Sequence, residues 1–208
     1  MTTLRVDERL RGDLVAAVQR IEKASAAEVV VTVVPRAAGH WDVTLAATLG
    51  VVLAAQLAAA ALLGDVTALG VLIDAVVAAA VAVAVVRVFP VVQRVLLPRR
   101  AAVRRVEQGA ESAFFRQGIY RTRGRTGVLL YLAVLERRAV LLPDDAVVHA
   151  LPPATLAALR TQADGVLAGR DPRAALLTLL DQLGRAAARH LPAGPGDLNE
   201  LPDAPVMP

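Results

Sequence analysis

Apolar and polar positions along this chain alternate with two periods and then, for a long stretch, stop alternating. From about Asp7 to Lys23, the residues Leu10, Leu14, Ala17, Val18 and Ile21 recur at three-to-four spacing with charges between them, which predicts an amphipathic helix. The β-branched run from Glu28 to Val34, closed by Pro35, predicts a buried strand. Gly39, His40 and Trp41 then lead into a block almost without polar positions. No charged residue falls between Asp42 and Asp65, about 22 positions; a helix of that length spans ~33 Å against a hydrocarbon core of ~30 Å. Val66 to Val86 is a second stretch of similar length, closed by Arg87, with Gly64-Asp65 as the turn between them. The pattern predicts a two-helix transmembrane hairpin; the alternative is a buried helical hairpin of a soluble protein.

Past Arg87 the period returns. Val88 to Leu97 is apolar but broken by Pro90, Arg94 and Pro98, and is expected to leave the membrane along its interface. Arg99 to about Gln117 reads as a helix with Val103, Val106, Ala110, Ala113 and Phe114 on one face. A glycine-containing loop, Gly118 to Gly124, precedes a strand from about Thr126 to Leu135. Glu136-Arg137 is expected to form a two-residue turn into a second strand, Arg138 to Leu142, ended by Pro143-Asp144-Asp145. Helices are predicted over Pro153–Leu167 and Pro172–Arg189. From Leu191 onward the chain holds five of its twelve prolines and no periodic pattern, and reads as a tail. The expected organisation is a first part of an α/β domain at 1–40, a hairpin with its interfacial segment at 41–98, a second part at 99–190 and a Pro-rich tail at 191–208.

Composition supports a membrane element. Of 208 residues, 56% are hydrophobic and the mean hydropathy is +0.52, with the excess concentrated between Val43 and Val86. The absence of cysteine excludes disulfides, thiol catalysis and cysteine-ligated metals. The first 27 residues carry charges throughout and no secretory signal pattern. A net charge of +4 is modest, and no nucleic-acid partner is expected. Its placement says more: Arg36 precedes the first span, and Arg87, Arg94, Arg99, Arg100, Arg104 and Arg105 follow the second, while the turn holds Asp65 and no basic residue. By the positive-inside rule the α/β domain is cytoplasmic and the turn external. Trp41 is placed as an interfacial anchor, and Arg87, Arg94, Arg99 and Arg100 lie at the membrane interface, as a topology signal or against anionic headgroups.

Two polar residues interrupt the spans. Asp74 and Gln56 each lie about nine residues from the turn, or ~13 Å deep at the helical rise, so the two are expected to face each other. An ionised aspartate at that depth costs about 3 kcal/mol, which a neutral Asp74 bonded to Gln56 would reduce. A packing contact, an ion or proton site and a contact with another subunit remain open. Gly50, Ala54 and Ala58 form a small-residue stripe on the other side of the first helix.

Motifs for chemistry are sparse. The lone lysine, Lys23, is on the first helix and no P-loop exists; G-x-S-x-G and H-E-x-x-H are absent. His40, His149 and His190 are far apart in sequence. Asp144-Asp145 suits either a hard cation or a turn, and Arg116, Arg121, Arg123 and Arg125 suit either a phosphate group or a solvated loop.

The parts outside the spans resemble the TPM domain, the family also called TPM phosphatase, and in particular its bacterial membrane-embedded branch. The resemblance rests on Ala27 to Val31, on Glu111 to Thr122 (ESAFFRQGIYRT), on Arg125 to Leu130, on Leu135 to Val140 with Asp144, and on His190 to Pro192 and Asn199 to Pro202. It implies an α/β fold, a mixed sheet with packed helices, interrupted here by the hairpin. The strands Glu28–Val34 and Thr126–Leu135 would then lie in one sheet. It also implies a divalent cation such as Ca or Mg, with Asp144, Glu28 and Glu136 at the family's acidic positions. Plant and cyanobacterial members are linked to photosystem upkeep and weak acid phosphatase activity. The expected function is a non-catalytic interaction or upkeep module for membrane protein complexes in the bacterial inner (plasma) membrane, partnering other membrane proteins or itself. The alternative is a weak metal-assisted acid phosphatase.

Overall fold

A computed structural model describes residues 7–37, 41–63, 67–88, 99–194 and 199–206. The Gly64-Asp65 turn, His40, Arg94 and the interfacial stretch from 89 to 98 lie outside these residues. The chain divides into two compact units, one made of residues 1–37 with 103–208, the other of residues 38–102.

The first unit opens with α1, Glu8–Ala24. Asp7 caps it, its carboxylate accepting the Leu10 amide at 2.7 Å and satisfying one of the orphan N–H groups of the first turn. The buried stripe is Leu10, Leu14, Ala17, Val18 and Ile21, as the sequence periodicity predicts. Strand β1, Glu28–Val34, is buried at every position and so shows no in–out alternation, as expected for a strand covered on both faces. It pairs in parallel with β2, Gly127–Ala133, Glu28 opposite Gly127 and Val34 opposite Ala133. Antiparallel to β2 runs β3, Arg138–Pro143, giving a mixed sheet in the order β1-β2-β3. The pairing of two segments separated by the apolar block is thus present.

The turn between β2 and β3 differs from the expected two-residue connection. Residues 134–137 form the loop, with Arg137 in the left-handed region (φ 52°) and its guanidinium bonded to the carbonyls of Leu167 and Ala168 at 3.0 and 2.9 Å. Those side-chain bonds hold a conformation that a non-glycine residue rarely adopts.

Helices cover both faces. One face of the sheet, through Val29, Val31, Val33, Val128, Leu130, Leu132, Ala139 and Leu141, packs on α1 and on the last helices. The other, through Val30, Val34, Leu129, Tyr131 and Ala133, packs on Val106, Ala110, Ala113 and Phe114 of α4, Arg99–Arg116. A 3₁₀ turn, Ile119–Arg121, follows α4, and β3 leads into α5, Asp145–Ala150, then α6, Pro153–Gly165, and α7, Pro172–His190. Gly127 is required by close approach: a Cβ there would sit 2.5 Å from the Ile119 carbonyl oxygen.

The C-terminal stretch is a strap where it is described. Ala26 donates to the Leu191 carbonyl, Val33 donates to the Val206 carbonyl at 3.0 Å, and Val206 donates back to Val31 at 2.9 Å. Val206 therefore adds a one-residue parallel bridge to the outer edge of β1. Lack of periodicity and the prolines forbid a helix here but do not forbid an extended segment whose polar groups are met by the sheet.

The second unit holds α2, Trp41–Leu63, and α3, Ala68–Val88, packed against each other. Both are long and apolar enough to cross a membrane by length and composition, over Leu45–Leu62 and Ala68–Val85. Neither is a core helix, since 0% and 6% of those windows are buried.

Candidate functional site

Of the three acidic positions taken together from the sequence, the structure sets two at one end of the sheet and the third at the other. Glu28 opens β1 opposite Gly127, and the Asp144 amide donates to the Gly127 carbonyl at 2.8 Å, so both flank the start of β2. Glu136 lies in the loop at the far end, where both carboxylate oxygens accept the Ala37 amide at 3.2 and 3.1 Å. Its side chain ties off the exit of β1.

Asp144 is 5% exposed and caps α5, its Oδ1 accepting the Asp145 amide at 2.8 Å. The same oxygen lies 2.9 Å from Nη2 of Arg125, which also reaches Oδ2 of Asp145 at 3.0 Å. Arg125 is in the left-handed region (φ 55°), and its Nη1 donates to the Tyr120 carbonyl at 3.3 Å. A guanidinium thus supplies the positive charge beside Asp144. The other oxygen, Oδ2, is buried with no hydrogen-bond partner among the described residues. That orphan oxygen is the feature a cation would need, but no group of three His, Cys, Asp or Glu among the described residues is placed to hold a metal. A divalent ion here would have one carboxylate oxygen and an arginine for company. The residues present do not fit it.

Glu28 belongs to a different cluster. It is 6% exposed, and its Oε2 accepts the amides of Glu200 and Leu201 at 3.2 and 3.1 Å. Beside it, Glu22 on α1 accepts the Val29 amide at 3.3 Å and the Asn199 side-chain amide at 3.2 Å. Asp203 accepts from Gln19 at 2.9 Å and from Asn199 at 2.5 Å. Burial pushes the Glu22 carboxyl up to about 8, against the lowering effect of the Val29 amide, and the charges of Glu28 and Asp203 raise it further. Asp203 moves the other way, held below its ordinary value chiefly by hydrogen bonds from Asn199 and Gln19. Three carboxylates on three segments are thus gathered at one place, with the strap's amides on Glu28 and the Asn199 side chain between Glu22 and Asp203. Glu22 and Asp203 were not singled out from the sequence; Asn199 entered it only within the stretch Asn199–Pro202, by which the chain resembles the TPM domain.

In the basic loop two guanidinium groups are engaged: Arg125 is paired with Asp144 and Asp145, and Arg121 lies over the Tyr120 ring at 5.3 Å; the Arg123 backbone N–H donates to Glu200 at 3.1 Å. His149 Nδ1 lies 2.7 Å from the Asp145 carbonyl oxygen, within its own short helix. The side chains of Trp41, Arg87 and Arg99 fall outside the description, and Arg100 is exposed.

In the apolar hairpin, Gln56 does not meet Asp74. Its amide donates to the Val71 carbonyl at 2.8 Å, across the two helices, and Asp74 is exposed on α3. Equal sequence distance from the turn sets equal depth, but the helical phase of each residue decides which face it occupies. Asp74 has no hydrogen bond with Gln56 among the described residues.

No family model matches the chain. No curated protein matches it either. Among solved structures, the fold is similar to the NMR structure of the BA42 protein from the psychrophilic bacterium Bizionia argentinensis, at 14% identity and a TM-score of 0.60, covering 99% of this chain and 97% of that one. At that identity the likeness is one of fold.

Proposed function

We propose that this chain is a multi-pass protein of the bacterial plasma membrane whose α/β unit, of TPM type, is a cytoplasmic, non-catalytic interaction module for other membrane proteins. The observation that carries the membrane reading is the exposed apolar surface of α2 and α3: Leu45, Leu49, Leu53, Leu57 and Leu62 on one helix, Leu69, Leu72, Ile73, Val76 and Val81 on the other, all more than half exposed. A soluble unit does not leave that much contiguous hydrocarbon in water. The basic residues adjoining the spans, against a turn with Asp65 alone, support the orientation.

The non-catalytic reading is supported by the engagement of the acids. Asp144 is a helix cap paired with Arg125, Glu28 binds strap amides and Glu136 binds the Ala37 amide, so each has a structural duty. Phosphoester cleavage needs an activated nucleophile or an open metal position with cations fixed on the phosphate. Reporter fusions at Asp65 reading external and after Pro208 reading cytoplasmic, with resistance to carbonate extraction, test the topology. Copurification of membrane partners tests the module. Hydrolysis of an aryl phosphate with Mg²⁺, Mn²⁺ or Ca²⁺ that vanishes in Asp144→Ala would overturn it in favour of a weak metal-assisted acid phosphatase.

A further inference from the structure

The two edges of the sheet are finished differently. On β1 the outward residues are Val29, Val31 and Val33; the Val29 amide is met by Glu22, and the Val31 carbonyl and Val33 amide by Val206. On β3, the Asp144–Gly127 bond fixes the ladder parity. Residues 138, 140 and 142 face β2, and Ala139 and Leu141 turn their amide and carbonyl groups away from it. No described residue hydrogen-bonds to those outward groups. They lie on the floor of a groove of about 400 Å³ that runs between α4 and α6, and both residues are only 2% exposed. Unpaired and nearly dry backbone groups are costly, and a strand laid along the edge would satisfy them.

The walls select what enters. Side chains of an added strand alternate between the α4 wall and the α6 wall. On α4, Glu107 and Glu111 line the groove, both exposed and neither with a partner among the described residues. Two like charges at i, i+4 oppose each other on a bare helix. Their spacing of about 6 Å along the axis is close to the two-residue repeat of a strand, about 6.7 Å. Toward the α6 wall, Arg138 of β3 is paired with Asp164 of α6 at 2.7 Å, and Arg160 of α6 adds a positive charge. Pro143, without an N–H, ends the edge after two outward residues, which limits it to a short guest.

We propose that the β3 edge is a docking groove for a short extended segment of a partner protein carrying basic side chains at alternate positions, read by Glu107 and Glu111. This deepens the interaction reading above and rests on it. The membrane partner would supply its strand from a loop or terminus on the same side as the α/β unit.

The test uses the full chain in zwitterionic detergent micelles and two blocked heptapeptides, one alternating threonine with lysine, the other threonine with glutamate. Backbone hydrogen exchange at Ala139 and Leu141 is the readout. The lysine peptide is expected to slow both amides by about tenfold or more, and the glutamate peptide to leave them unchanged. The exposed double substitution E107K/E111K, with an unchanged far-UV spectrum, is expected to reverse that preference. Absence of protection, equal protection by both peptides, or amides already protected in a self-associated chain would overturn the proposal. A chain that copurifies partners yet shows no protection sinks the groove alone. A chain without partners sinks the broader reading, and the peptide result then stands as peptide binding only.

Discussion

Nη2 of Arg125 lies 2.9 Å from Oδ1 of Asp144, across the turn that joins β3 to α5. Nineteen positions apart in sequence, the two make a helix cap with its own counter-ion at the place where the family resemblance implies a divalent metal. Arginine satisfies the charge, so the carboxylate is needed for folding whether or not a metal is added.

Asp144→Ala removes the cap and leaves Arg125 with the exposed Asp145 alone. We expect a loss of about 2 kcal/mol in unfolding free energy, as for a strong N-cap. The check is thermal unfolding in detergent with and without Mg²⁺ or Ca²⁺. A wild-type melting temperature that rises sharply with either ion, and not in the variant, would mean that the orphan Oδ2 does take a cation.

The strap and α1 are linked by the Asn199–Glu22 and Gln19–Asp203 hydrogen bonds. Glu22 titrates near 8 in the folded chain against an ordinary carboxyl value of 4.5, so the folded state holds that proton more tightly than the unfolded one. Its contribution to stability is fully present below 4.5 and is lost as the pH rises through about 8. Asp203 acts in the opposite sense, its contribution being lost in acid. Stability measured between pH 5 and 9 should fall with rising pH in the wild type and flatten in Glu22→Gln. An unchanged slope in that variant rejects the raised Glu22 carboxyl as its source.

Removing residues 199–208 should uncover the β1 edge. Val33 loses its acceptor on Val206 and Glu28 loses the Glu200 and Leu201 amides. Hydrogen exchange at Val33 is expected to accelerate and the truncated chain to self-associate. If Val33 stays as protected as in the full chain, the strap is not what holds that edge.

Gly127→Ala places a Cβ against the Ile119 backbone, at 2.5 Å from its oxygen, where no rotamer change relieves the clash. A destabilisation of about 1–3 kcal/mol is expected, typical of overpacking a close contact. Thermal melts that match the wild type would show that the 3₁₀ turn can move aside.

Asp74→Leu removes an exposed acid from α3, whereas Gln56→Leu breaks the bond to Val71. If the hairpin inserts, the first change should favour insertion by about 3 kcal/mol on the translocon scale. The inserted fraction from a glycosylation-mapping assay reads this directly. A lower inserted fraction in Asp74→Leu would assign the acid a partner inside the membrane.

Much of this architecture is local and therefore written in the sequence. The stripe of Leu10, Leu14, Ala17, Val18 and Ile21 marks α1 in the sequence, because a 3.6-residue repeat puts those side chains on one face. The lengths of α2 and α3 follow from long apolar runs, and β1 from a β-branched run bounded by proline. Composition alone also placed the excess of hydrocarbon in one block. What tertiary structure decided are the relations that no period encodes. Glu28 meets Leu201 across 173 positions and Glu22 meets Asn199 across 177, so the tail becomes a strap only when α1, β1 and the C-terminus arrive together. The fates of Asp144, Glu28 and Glu136 depend on which end of a three-stranded sheet each reaches, and that of Gln56 on the Val71 carbonyl it meets across the hairpin. A sequence lists which groups need partners; burial and strand order choose them, because an unpaired polar group in a dry interior costs more than the bend in the chain that pairs it.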